Sequence, residues 1–132
     1  MMLAFSFNHV KYILYHYFDL SRGKFTDSAT AERLGMPLPR QPRAIFEAAC
    51  LLAAEVALRV KKCGMDGLIT EAVFMGEQGL RTESDIAREY HIDECEVHRR
   101  IRRVVAYCEG FDTREQDYET WRKENRFRKG VR

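Results

Sequence analysis

Apolar and polar positions alternate with a helical period along most of this chain. From Arg43 to Lys62 almost every residue is a helix former. The polar positions of this segment form a narrow stripe: Glu47, Glu55, Arg59 and Lys62. The remaining positions are apolar, including Phe46, Leu51, Leu52, Val56 and Val60. The pattern predicts a helix that is buried on most sides, as the central helix of the domain or in a dimer contact.

The N-terminal segment is crowded with aromatic residues. Asn8 can cap a helix that runs to about Leu20, although the alternation from Phe5 to His9 also allows a short strand; we favour the helix. A short helix is predicted from Ser28 to Leu34. An extended connector follows at three prolines, Pro37, Pro39 and Pro42.

Capping residues organise the rest of the chain. After Gly64 ends the long helix, Asp66 is expected to cap a further helix that continues through Met75. Three later pairs place a carboxylate three residues after a capping side chain: Thr82 with Asp85, Asp93 with Glu96, and Asp112 with Glu115. They predict a short helix over 83–90, a turn at His91 and Ile92, a helix over 94–108 that Gly110 stops, and a last helix carrying Tyr118 and Trp121.

These elements predict an all-α domain with a C-terminal helix-turn-helix. We divide the chain into an aromatic segment with its connector (1–42), a helical core (43–110) containing the helix-turn-helix (82–108), and a basic C-terminal helix or arm (111–132). The composition, 45% hydrophobic and 32% charged, is that of a folded chain. The net charge of only +2 excludes a uniformly basic surface, so any basic surface must be local.

Composition also bears on the location of the protein. No apolar segment reaches membrane-spanning length, and the start lacks the features of a secretory signal. The four cysteines form no C-x-x-C pair, so we expect reduced thiols in a cytoplasmic protein.

The predicted helix over 94–108 has two distinct faces. Its inner stripe is apolar: Val97, Ile101, Val104, Val105 and Cys108. The opposite face carries Cys95, Arg99, Arg102, Arg103 and Ala106, with His98 and Arg100 on the flanks. Arginine forms bidentate hydrogen bonds with guanine and with phosphate, and a helix of this kind fits the major groove. We expect Arg99 and Arg102 to contact bases or phosphates, beside Cys95 and His98, and Arg103 to contact the DNA backbone.

The run from Asp85 to Val104 resembles the helix-turn-helix of sigma factor region 4, particularly that of the extracytoplasmic-function branch, and the related motifs of phage transcription regulators and antitermination proteins. The resemblance is carried by Ile86-Ala87, Tyr90, Ile92, Val97, Arg99-Arg100-Ile101 and Arg103. It implies double-stranded DNA as a partner and a role in transcription control, with RNA polymerase as a second candidate partner. The family usually has glycine where this chain has His91, so His91 must adopt a compatible backbone conformation. No other sigma regions are recognisable, so a complete sigma factor is not expected.

The tail from Trp121 to Arg132 contains six basic residues and one acidic residue. As a DNA-tracking arm it would use Lys123, Arg126, Arg128 and Lys129 for nonspecific attraction to phosphates. The alternative is a solvated terminus.

Other functional classes lack their residues. No phosphate-binding glycine loop or hydrolase motif is present, so we expect no enzyme and no cofactor. His91, Cys95 and His98 do not complete a tetrahedral set, so no metal site is expected. Two alternatives to a DNA-binding regulator remain open: an interaction module that docks on RNA polymerase or another regulator, and a small-terminase-like DNA-packaging subunit. We also expect a homodimer.

Overall fold

The computed structural model describes residues 4–24, 35, 45–76, 80–110 and 117–126. Within these ranges the chain forms helices and no strand, which confirms the all-α class. The helices are α1 (Phe7–Tyr15), α2 (Tyr17–Leu20), α3 (Ile45–Lys61), α4 (Gly64–Phe74), α5 (Glu83–Tyr90), α6 (Glu94–Cys108) and α7 (Tyr118–Arg126). None of them is long and apolar enough to cross a membrane. The predicted helix over 28–34 and the Asp112–Glu115 pair lie outside the described residues.

The first helix starts earlier than the sequence indicated. Ser6, and not Asn8, caps α1: its hydroxyl accepts from the His9 backbone N–H at 3.1 Å, and the Ser6 N–H donates to His9 Nδ1 at 3.0 Å. The chain breaks at His16 between α1 and α2. Phe5 forms no strand; it exchanges two backbone hydrogen bonds with Gly110, at 3.1 and 2.7 Å, and thereby joins the N-terminal segment to the end of α6.

The long helix α3 is covered on most sides and exposes one stripe. Leu52, Val56 and Val60 lie in the core, whereas Leu51 is 44% exposed and Leu58 is 56% exposed. The prediction that most of its circumference is buried is confirmed, since α1, α2, α4 and α6 all pack on it. The exposed stripe is not the predicted polar one: it consists of Leu51, Ala54, Leu58 and Lys61.

Arg59, assigned to the polar stripe of α3, is instead buried. Its guanidinium donates to Glu55 at 2.9 Å and to the carbonyl oxygens of Cys108 and Gly110 at 2.8 and 2.7 Å. The same guanidinium lies 4.6 Å from the centre of the Phe5 ring. Arg59 thus satisfies carbonyls at the C-terminal end of α6 and fixes that end against α3.

Helix α4 follows α3 after a tight connection. Gly64 has a φ of 57°, in the left-handed region that favours glycine. A Cβ at Gly67 would lie 2.3 Å from the Val60 carbonyl oxygen, so only glycine fits this close approach of the two helices. Asp66, expected to cap α4, lies inside its first turn and is buried against α6 and α7.

Helices α5 and α6 have the predicted bounds, separated by residues 91–93. The Thr82 hydroxyl caps α5 by accepting from the Asp85 N–H at 3.0 Å, as expected. Asp93 occupies the capping position of α6 but forms no capping hydrogen bond through its side chain, so the second predicted capping box is absent. Every residue of the predicted inner stripe of α6 is buried.

An aromatic cluster packs helix α7 against α6. It begins at Tyr118, where the Asp117 carboxylate accepts from the Thr120 N–H at 2.8 Å. Tyr118 and Trp121 lie with their ring centres 5.2 and 5.3 Å from that of Tyr107 on α6. The hydrophobic core includes residues of all seven described helices in one continuous cluster.

The turn between α5 and α6 generates a prediction about stability. His91 has φ 56° and ψ 43°, the left-handed conformation for which glycine carries no steric cost. We expect His91→Gly to raise the free energy of unfolding by about 1 kcal/mol in urea denaturation. Ser84→Gly, on the exposed side of α5, is the matched control and should lower it, because glycine is a poor helix former. A loss of stability in His91→Gly would contradict this account of the turn.

Candidate nucleic-acid interface

The outer surface of α6 carries four of the residues that the sequence assigned to DNA contact. Cys95, His98, Arg99 and Arg102 are all exposed. Ala106, expected on the same face, is buried, because α6 is covered on a wider arc near its C-terminal end than at its start. The accessible surface of α6 is therefore limited to its first two and a half turns.

Arg99 lies largely in solvent, at 64% exposure. Its guanidinium pairs with Glu96 at 2.5 Å, and Glu96 also accepts from Arg100 at 3.0 Å. The hydrogen bond from Arg100 lowers the pKa of Glu96 below its usual value, so this carboxylate is charged at neutral pH. The negative charge of Glu96 therefore offsets the positive charge of Arg99, unless a stronger hydrogen-bond acceptor takes the place of Glu96.

Arg102 meets a second helix at the aromatic ring of Phe7. The Arg102 guanidinium lies 5.8 Å from the ring centre, and Lys11 Nζ lies 5.9 Å from the same centre. Phe7, Lys11 and Arg102 line a cleft between α1 and α6 whose floor is apolar. The two cations thus contact one aromatic ring and line one cleft, to which Glu83 of α5 also contributes.

His98 stands at the edge of this cleft, on the side of α5. Its Nδ1 lies 3.3 Å from both carboxylate oxygens of Glu83, in the first turn of α5. This contact orients the imidazole ring across the junction of the two helices.

Arg103 occupies a different environment from Arg99 and Arg102. Its guanidinium lies 3.4 Å from the buried Asp66 carboxylate, and that of Arg100 lies 3.3 Å from the other carboxylate oxygen. The Tyr118 hydroxyl donates to Asp66 at 2.5 Å. Burial, together with this hydrogen bond to the carboxylate, raises the pKa of Tyr118, so its hydroxyl remains a donor. Asp66 therefore connects α4 to both α6 and α7.

Negative charge surrounds the start of α6. Asp93 and Glu94 are exposed, and Glu96 is half-buried. On α5 the exposed Arg88 pairs with Asp85 at 2.6 Å, so it adds little net charge. Beyond this acidic first turn, Arg102 and Lys11 are the exposed cations of α1 and α6 that have no ion-pair partner among the described residues, whereas Arg99 pairs with Glu96.

The basic tail is described in part. Lys123 is exposed on α7, and Arg122 pairs with Glu119 at 2.9 Å. The backbone of Arg126 belongs to the last turn of α7. Arg128 and Lys129 lie outside the described residues.

Two residues of this region escaped the sequence analysis. Lys11 lies more than eighty positions from Arg102 in the chain, and no local pattern indicates that they share one ring. Asp66 was interpreted as a cap, because an acidic residue soon after a glycine resembles a helix start. Across the described residues, no group of three histidine, cysteine, aspartate or glutamate side chains is arranged to hold a metal ion.

Comparison with protein-family models, with curated proteins and with solved structures found no match for this chain.

The Asp66 contacts predict a large effect on stability. Asp66→Asn keeps the shape of the side chain but removes the charge that Arg100 and Arg103 face. We expect the free energy of unfolding to fall by about 3 kcal/mol, the low end for breaking a buried ion pair, because both arginines are a quarter exposed. Asp85→Asn makes the same chemical change at an exposed ion pair and should leave the urea midpoint nearly unchanged. Equal effects of the two variants would show that the Asp66 contacts contribute no special stability.

Proposed function

We propose that this protein binds double-stranded DNA, with α5 and α6 acting as a helix-turn-helix and α6 as the reading helix, in transcription control of bacterial or phage type. The observation that carries the proposal is the accessible pair Arg99 and Arg102 on the outer face of α6, directly after the left-handed turn at His91. A reading helix requires an apolar inner face and an outer face of hydrogen-bond donors. Helix α6 has both.

The turn geometry supports this assignment independently of the charges. In the resembled family, glycine usually occupies the position of His91. His91 adopts the left-handed conformation that glycine provides there. His91 keeps this conformation although it is not glycine, so the tight connection between α5 and α6 is retained. The next residue, Ile92, is half-buried.

The contacts suggest separate roles for the arginines. Arg99 can exchange Glu96 for guanine or phosphate, since its side chain is largely in solvent. Arg102 and Lys11 are both exposed and line the same cleft, so together they suit a phosphate. We assign Arg103 to the orientation of α6, because its guanidinium contacts Asp66. Lys123 and the basic residues after it supply nonspecific attraction.

A second function is favoured by the acidic first turn. Asp93, Glu94 and Glu96 would face phosphates if α6 entered the groove by its N-terminal end, and like charges repel. The same residues suit a basic protein surface, so an interaction module that docks on RNA polymerase or another regulator is the alternative. A small-terminase-like packaging subunit would also bind DNA, but as a ring-sized oligomer.

The two classes of basic residue predict different losses of affinity. Arg99→Ala and Arg102→Ala should each cost about 1–3 kcal/mol on a preferred duplex if they contact bases, with little effect on scrambled duplex. Joint neutralisation of Arg126, Arg128 and Lys129 should weaken binding to both duplexes equally. It should also reduce the salt dependence by roughly 0.9 in log–log slope for each DNA phosphate that the variant no longer neutralises.

Fluorescence titrations at several salt concentrations measure both effects. Arg88→Ala is the matched control, an exposed arginine on α5 that is paired with Asp85. If neither set of substitutions changes DNA affinity while the folded chain persists by circular dichroism, DNA binding is rejected and the interaction module takes its place.

Substitution of Glu96 is expected to raise the affinity for DNA, whereas the arginine substitutions lower it. Glu96→Gln removes the carboxylate that pairs with Arg99 and one negative charge from the proposed interface. We expect affinity for duplex DNA to rise roughly threefold, the factor that an exposed ion pair is worth. Glu89→Gln, which removes a carboxylate paired with Arg81, should leave affinity unchanged. A loss of affinity in Glu96→Gln would mean that Glu96 itself contacts the ligand.

A further inference from the structure

Helix α3 presents an accessible stripe along its whole length. The stripe consists of Glu47, Leu51, Ala54, Leu58 and Lys61, at alternating spacings of four and three residues. This spacing places all five on one face of a helix, as in the seam of a coiled coil. Leu51 and Leu58 expose about half of their surface, Ala54 and Lys61 are also exposed, and Glu47 is half-buried.

We propose that this stripe is the contact surface for a second copy of the chain, with the two α3 helices antiparallel and their twofold axis at Ala54. In that arrangement Leu51 of each copy faces Leu58 of the other. Glu47 of each copy faces Lys61 of the other. Ala54, the smallest side chain of the stripe, lies where the two helices cross and permits a close approach.

The order of the charges along α3 indicates that a second copy of the chain covers the stripe. The stripe is acidic in the first turn of the helix and basic in the last, with only apolar residues between. The charges of two such stripes are complementary only when the helices run in opposite directions. A parallel copy would bring Glu47 against Glu47. Neither Glu47 nor Lys61 has an ion-pair partner among the described residues.

This surface shares no residue with the proposed DNA contacts on α6 and α1. The dimer is therefore tested by association alone, without DNA, and its failure would leave DNA binding by a monomer intact. A dimer would also present two reading helices, which raises affinity for a site with two half-sites.

Sedimentation equilibrium of the full-length chain measures the association. We expect a monomer–dimer equilibrium in the micromolar range, and Leu58→Glu should abolish the dimer because it sets a charge against an apolar partner. Glu47→Lys and Lys61→Glu should each weaken association roughly tenfold, since each places like charges together at two symmetric positions. The double variant Glu47→Lys/Lys61→Glu should restore it. A monomer at all concentrations, unaltered association in Leu58→Glu, or no restoration in the double variant would overturn the proposal.

Disulfide trapping locates the twofold axis. Ala54→Cys, made together with Cys95→Ser to remove the exposed native thiol, should form a covalent dimer under mild oxidation. Ser84→Cys in the same background is the control, an exposed position on α5 away from the stripe, and should remain monomeric. Equal crosslinking of the two variants, or none in Ala54→Cys, would place the contact elsewhere.

Discussion

The fold depends on one buried carboxylate that three helices share. Asp66 on α4 accepts from Tyr118 on α7 and faces Arg100 and Arg103 on α6. A buried charge without partners is costly, so these contacts must form together whenever the domain folds. Because Arg100 and Arg103 lie one turn apart on one flank of α6, their attachment to Asp66 fixes the rotation of the helix about its axis.

That rotation decides which arginines reach solvent. With one flank turned toward Asp66 and the apolar stripe in the core, Arg99 and Arg102 are both accessible to solvent, and Arg102 also contacts the Phe7 ring of α1. Arg59 holds the far end of α6 by binding the carbonyls of Cys108 and Gly110. Helix α6 is thus fixed along its flank and at its C-terminal end, which are the conditions under which an exposed face can act as a preorganised binding surface.

Local sequence patterns predicted the structural features that are determined by residues close together in the sequence. The Thr82 cap, the bounds of α5 and α6, and the inner stripe of α6 are all set within a few helical turns, and the structure confirms them. Contacts between segments that are distant in the sequence produce no recognisable local pattern. Asp66 was predicted as a helix cap and Arg59 as a polar position of an amphipathic helix, and their burial follows only from the way the helices pack. For the same reason Arg103 was grouped with the outward-facing arginines.

Selection of bound sequences from a pool of random duplex DNA shows directly whether α6 reads DNA. We expect several rounds with the folded wild-type chain to enrich a short shared motif, and this motif to contain guanine where arginine forms bidentate contacts. A pool that retains no DNA on the folded protein, or that shows no shared motif after repeated selection, would contradict it.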